Sequence, residues 1–235
     1  MKVLVTGGAG FIGSHVVRLL KERGDHVRVT LAPGESASPI DDLDVETQVC
    51  DIRDLSAVQQ AISGCDAVIH LAAVYKVWMR DYRPMYQVNV EGTRNILSAC
   101  RTAGTAQVVY TSSIAALGVE PGLMPATEDT EFNQHKTGNH YVLSKFYAQR
   151  VVDEFASEGM PVVSVHPSFP FGVGDHRPTP TGRSMIRIIE GTYFAHGTGG
   201  LNVVDVEDVA RGHLLALERG QTGRRYLLSG NDVSM

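Results

Sequence analysis

Glycines at 7, 10 and 13 separate a short apolar run, Lys2–Thr6, from a segment whose Ile12, Val16, Leu19 and Leu20 recur at helical spacing. A strand that turns this abruptly into a helix commits the chain to an open α/β sheet. Each glycine has a separate reason. Gly7 permits the tight turn, Gly10 lets a pyrophosphate approach the backbone, and Gly13 lets the helix lie close on the sheet. Phe11 and Ile12 stand at the start of that helix, where unpaired N–H groups and the positive end of the helix dipole favour an anion.

The rest of the chain repeats the rhythm. Strands are expected at His26–Leu31, residues 47–50, residues 67–71, Gln107–Thr111, residues 162–166 and Arg225–Leu228. Between them, helices are expected at residues 54–63, 82–103, 141–157 and 206–219. The strands are near-continuous apolar runs, as in a parallel sheet covered on both faces. The expected fold is a doubly wound, Rossmann-type α/β domain. Residues 1–166 form the dinucleotide-binding part, 167–200 substrate-side loops, and 201–235 a returning strand, a helix and the last strand of the sheet. Residues 118–139 and 167–200 are rich in turn formers, and long irregular segments of this kind carry binding surface.

Composition excludes other classes. The 235 residues carry 21 Lys+Arg against 26 Asp+Glu, a net charge of -5, with no basic run longer than Arg224-Arg225. Nucleic-acid binding needs a concentrated basic surface, so it is not expected. The longest apolar run, residues 67–75, is far short of a membrane span, and the N-terminus is too short in apolar character for a signal peptide. The three cysteines Cys50, Cys65 and Cys100 form no close pair. They are read as buried hydrophobes in a cytoplasmic protein. His135 and His140 are five apart without a ligand-spaced third partner, so no metal site is expected.

Tyr141 and Lys145 are four residues apart, on one face of the expected helix. An ammonium near a phenol favours the phenolate, drawing its pKa of about 10 toward the working pH, where it can serve as an acid or base. The pair alone is a common surface pattern. It gains weight behind a dinucleotide turn and after a strand that runs into Thr111-Ser112-Ser113. A serine past a strand's carboxyl end lies where open α/β sheets place ligands, and Ser113 could hydrogen-bond a substrate carbonyl.

In this combination the sequence resembles the extended short-chain dehydrogenase/reductase superfamily, also called NAD-dependent epimerases/dehydratases. The matching pieces are residues 6–13, Asp51-Ile52-Arg53-Asp54, His70-Leu71-Ala72-Ala73, Asn89-Val90-Glu91-Gly92-Thr93, Thr111-Ser112-Ser113, Tyr141 with Lys145, and His166-Pro167-Ser168. Residues 73–78, 178–183 and 200–204 resemble the dihydroflavonol-reductase-like branch, and within it the hopanoid-associated sugar epimerases. The resemblance implies Tyr141 as acid/base and Lys145 as the holder of the nicotinamide ribose, with Ser113 on the substrate oxygen. It implies Asp51 and Ile52 at the adenine, Leu71, Ala72 and Ala73 behind the pyrophosphate, and Pro167 and Ser168 at the nicotinamide. Family members continue past the strand matching Arg225–Leu228 into a small substrate lobe, so that lobe is expected to be small or truncated. Dehydratases of the family place an acid pair after the serine region, which Ile114-Ala115 do not match.

The expected function is hydride transfer between NAD(P)(H) and a carbonyl or secondary alcohol. A nucleotide-sugar epimerase with tightly bound NAD is the alternative enzyme, and a non-catalytic dinucleotide-binding regulator is the alternative of another class. A small-molecule substrate is the expected partner, and a homodimer is left open. The 2′ group of the cofactor is not settled by charge. The second expected strand ends at Leu31-Ala32-Pro33, with neither an acid for a ribose hydroxyl nor an arginine for a phosphate, and Glu35 lies past Pro33-Gly34. Ser36 and Ser38 give a slight lean to NADP. Tyr75, Trp78 and Asn89 are each weighed equally as site or scaffold residues. Asp205, Glu207 and Asp208 read as a solvated helix start.

Overall fold

A computed structural model of the chain describes residues 1–122, 124–192 and 199–234. The elements run β1 (Lys2–Thr6), α1 (Phe11–Glu22), β2 (His26–Leu31), β3 (Glu46–Val49), α2 (Leu55–Ile62), β4 (Ala67–His70), α3 (Arg83–Tyr86), a π-helical stretch (Gln87–Gly92) and α4 (Thr93–Ala103). There follow β5 (Gln107–Thr111), α5 (His140–Ser157), β6 (Val162–Pro167), β7 (Phe169–Phe171), α6 (Pro180–Ile189), β8 (Gly200–Asp205), α7 (Val206–Arg219), β9 (Arg225–Leu228) and β10 (Asn231–Ser234).

Seven strands form one sheet in the order β3-β2-β1-β4-β5-β6-β9, every pair parallel. The order reverses between β1 and β4, and ligands of open α/β sheets bind outside the strand ends at such a point. Alternation along β1 divides the core. Leu4 joins Val58, Ile62, Leu97 and Phe155 under α2, α4 and α5. Val3 and Val5 join Val17, Leu20 and Leu217 under α1 and α7. Burying both faces explains why these strands read as unbroken apolar runs.

Three differences from the sequence reading concern the site. The segment 167–200 is not wholly loop: it contains β7 and α6, while its residues 193–198 lie outside the described part of the chain. The returning strand β8 does not enter the large sheet. It pairs parallel with β7 and antiparallel with β10, a strand that local polarity hides, in a small second sheet. The third difference is in the expected long helix 82–103, which is interrupted at its middle by the π-helical stretch. Before and within that stretch the buried side chains are Met85 and Asn89. Among the described residues no helix is long and apolar enough to cross a membrane.

Candidate active site

The turn after β1 is built as its glycines demand. Gly7 has φ +69°, and a Cβ there would stand 2.9 Å from the Ala72 backbone. A Cβ on Gly13 would come within 2.1 Å of the Gly7 carbonyl oxygen, so that residue must be bare for α1 to sit on the turn. Gly10 differs: its φ of -77° suits any residue, and a Cβ would meet only the Gly7 oxygen, at 3.1 Å. No side chain caps α1, and its first turn carries no acid. The N–H groups and the dipole of this end are thus left for an anionic ligand.

A polar chain ties the turn to the neighbouring strand. The Ala72 N–H donates to Thr6 Oγ1 (3.2 Å), and the Thr6 hydroxyl donates to His70 Nδ1 (2.6 Å). His70 Nε2–H donates to Thr93 Oγ1 (3.1 Å), which donates to the Asn89 carbonyl (2.7 Å). The Asn89 side chain extends the chain. Its Oδ1 accepts from Val74 N–H (2.7 Å), and its Nδ2 donates to the Val74 carbonyl (3.1 Å) and to Ser144 Oγ on α5 (3.0 Å). Every hydrogen-bonding group of that side chain is engaged, so Asn89 is a scaffold residue here. It fixes the loop after β4, whose Tyr75 ring lies against the Tyr141 ring, centroids 4.7 Å apart. Trp78, by contrast, is 75% exposed and does not line the cleft.

Asn139 starts α5 by accepting from the N–H groups of Tyr141 and Val142, which sets Tyr141 in the first turn. Lys145, one turn on, is buried and donates from Nζ to the Thr111 carbonyl at the end of β5 (2.9 Å). Burial lowers its pKa to about 8. Burial also raises Tyr141 well above the ordinary phenol value; the nearby Tyr75 adds to this, and a hydrogen bond with Ser113 opposes it. The expectation of a phenol held low by Lys145 is not met. The ammonium is engaged with the backbone, and desolvation dominates. Ser113 Oγ accepts from the Ala115 N–H (3.1 Å), which leaves its own hydrogen to donate.

Two buried histidines lie beneath. The Val209 carbonyl can only accept, so His213 carries its hydrogen on Nδ1 (2.8 Å), and its Nε2 accepts from the Thr111 hydroxyl (2.9 Å). His166 Nδ1 likewise donates to the Ser113 carbonyl (2.9 Å). Both support the strand end that carries Ser113 and anchors Lys145. No sequence pattern marked His213, and His166 stood out only within the His166-Pro167-Ser168 match, because their partners are backbone and a core threonine.

The residues expected to carry catalysis or hold the cofactor line one cleft of about 1980 Å³: Gly7, Gly10, Phe11, Ile12, Gly13, Asp51, Ile52, Leu71, Ala72, Ala73, Ser113, Tyr141, Lys145, Pro167 and Ser168. Tyr75, Glu35 and Arg177 join them from loops, and Thr181 from the first turn of α6. A dinucleotide fits this lining. The uncapped helix end faces it, the bare Gly10 leaves it open, and the buried hydroxyls of Ser112 and Ser168 have no partner.

The model of the NAD dependent epimerase/dehydratase family matches residues 3–229. The chain belongs to that family. A putative dihydroflavonol 4-reductase of Synechocystis is 39% identical over 235 residues, spanning 98% of this chain and 68% of the relative. The crystal structure of gox2253 matches with TM-score 0.94 and 40% identity, over 99% of this chain and 71% of that one. A Thermus thermophilus UDP-glucose 4-epimerase in complex with NAD matches with TM-score 0.86 and 29% identity, over 100% and 79%. The epimerase/dehydratase chain thus has both reductases and epimerases among its relatives, and it is an extended short-chain dehydrogenase/reductase.

An epimerase/dehydratase chain with Gly10 at an open position makes a specific prediction. Gly10→Val should abolish dinucleotide binding with little change in thermal stability, because its φ suits valine while the side chain would project into the cleft. Calorimetric titration beside a melting curve separates the two effects; unchanged affinity would remove this turn from the site.

Proposed function

We propose that the chain catalyses reversible hydride transfer between a nicotinamide dinucleotide and a carbonyl or secondary alcohol carbon, with Tyr141 as the acid/base. The observation that carries this reading is the meeting of the half-buried Tyr141 and Ser113 beside a buried Lys145 fixed on the Thr111 carbonyl, in the cleft that begins at the glycine turn. When bound, the cofactor supplies or accepts the hydride. Ser113 gives its hydroxyl hydrogen to the substrate oxygen. Tyr141, kept as a phenol by burial, gives its proton to that oxygen in the reductive direction and takes it back in the oxidative one. Lys145 keeps N–H groups beyond the one on Thr111 for the ribose next to the nicotinamide. Gly7, Gly10, Phe11, Ile12 and Gly13 hold the pyrophosphate, Asp51 and Ile52 the adenine, Leu71, Ala72 and Ala73 the cofactor behind the pyrophosphate, and Pro167 and Ser168 border the nicotinamide.

Incubation with reduced cofactor and a carbonyl panel tests this by loss of nicotinamide absorbance. Likeness to an NAD-bound UDP-glucose 4-epimerase supports a second reading, in which Tyr141 removes and returns the proton of a sugar hydroxyl. Retained NAD with sugar interconversion and no net redox turnover would select it. Lys145 also sets a pH limit. Its cation is favoured below about pH 8 and lost above, so reductive kcat/KM should fall as pH rises through that value. A profile flat to pH 10 would remove the charge of Lys145 from the mechanism.

A further inference from the structure

We propose that Glu35 is a specificity-determining residue, a carboxylate folded back onto the tip of β2 that makes the cleft select NAD over NADP. The inference rests on reading the cleft as a dinucleotide site. In sequence the strand tip is Ala32, and Glu35 follows Pro33-Gly34. In space the four residues form a tight turn, closed by the Glu35 N–H donating to the Ala32 carbonyl (2.9 Å). Proline suits the first central position of such a turn, and Gly34, at φ +79°, supplies the left-handed second. The turn returns the side chain to the strand end, where Glu35 Oε2 accepts from the Ala32 N–H (2.8 Å). The half-buried carboxylate lines the cleft beside Thr30, Ala32 and Gly34, with Oε1 left to accept from ribose hydroxyls.

The other charges nearby reinforce it. At this end the cleft is lined by two acids, Glu35 and Asp51, and no cation lines it among the described residues. Arg18, Arg28 and Arg53, from α1, β2 and the segment after β3, are turned to other partners and do not line it. Arg18 pairs with Asp42 (2.6 and 2.8 Å) and the Pro39 carbonyl. Arg28 pairs with Glu46 (2.8 Å) and the carbonyls of Ala61 and Ser63. Arg53 pairs with Asp51. The cleft's cations, Lys76, Lys145 and Arg177, belong to the loop after β4, to α5 and to the segment before α6. Neither Ser36 nor Ser38 lines the cleft. A 2′-phosphate would stand against Glu35 with nothing to offset it, whereas a 2′-hydroxyl would donate to it. This runs against the slight lean to NADP expected from a neutral Ala32 with Ser36 and Ser38.

Dissociation constants for NADH and NADPH, read by nicotinamide fluorescence on the wild type and on Glu35→Gln, test the proposal. The wild type should bind NADH tighter by roughly 10- to 100-fold, the range of a charge-assisted hydrogen bond. Glutamine keeps an acceptor for the Ala32 N–H, so the turn survives. Its ratio should fall to within about threefold, mainly through tighter NADPH. Added salt should narrow the wild-type ratio and leave the variant's ratio unmoved. A wild type binding NADPH as tightly as NADH, or an E35Q ratio equal to the wild type's, overturns the role of Glu35 and leaves the hydride reading standing. Binding of neither nucleotide overturns the reading of the cleft, and this inference with it.

Discussion

Tyr141→Phe should lower kcat on the true substrate by about 10²- to 10⁴-fold while leaving the dinucleotide Kd within about threefold. The phenylalanine ring keeps the contact with Tyr75 and the packing at the start of α5, so the fold has no reason to change. What disappears is the one hydroxyl that is held protonated by burial and bonded to Ser113. KM should move little, since the proton matters in the transition state more than in the bound substrate. Turnover within threefold of the wild type would show that another group carries the proton.

Stability should fall steeply as the solution is acidified below about pH 6.5, starting before the carboxylates titrate. Unfolded, each histidine takes up a proton near that value. Folded, burial holds His70 to about 3 and His166 and His213 to about 4. Their lone pairs accept hydrogen bonds or face dry core, so the neutral forms are required. Between those values the unfolded chain binds more protons, and each histidine removes about 1.4 kcal/mol of stability per pH unit. The stability is fully present above pH 6.5 and is spent by about pH 4 for His166 and His213 and by about pH 3 for His70. Melting temperatures at pH 7, 6 and 5 read the slope, and values unchanged down to pH 5 would refute it.

The large sheet was legible because its signals are local. Apolar runs such as Val3–Val5 are buried on both faces, and the helices α2, α5 and α7 fall within a residue or two of where periodicity puts them. The glycine turn, Ser113, Tyr141 and Lys145 were legible because their chemistry depends on spacing along the chain. What stayed hidden depends on contacts between distant segments. The strand pairing of β8 with β7 and β10 joins stretches with no alternation of their own. The charge at the tip of β2 could not be read at position 32, because a turn supplies it from position 35. Likewise, the state of Tyr141 follows from burial, which a pair spacing does not report.

The π-helical stretch Gln87–Gly92 amounts to one residue more than an α-helix needs, and one residue is about 100° of rotation. Counted at α-helical spacing, Leu97 is therefore about 120° out of phase with Met85 and about 80° with Asn89, although all three face the interior. Without the extra residue, the amide of Asn89 would point away from Val74 and Ser144, and the strut between the loop of Tyr75 and the helix of Tyr141 would be lost. Length, more than composition, is what this segment must preserve. Over generations it can exchange exposed side chains such as Gln87 and Glu91 freely, yet a single-codon gain or loss would unseat the tyrosines from a distance.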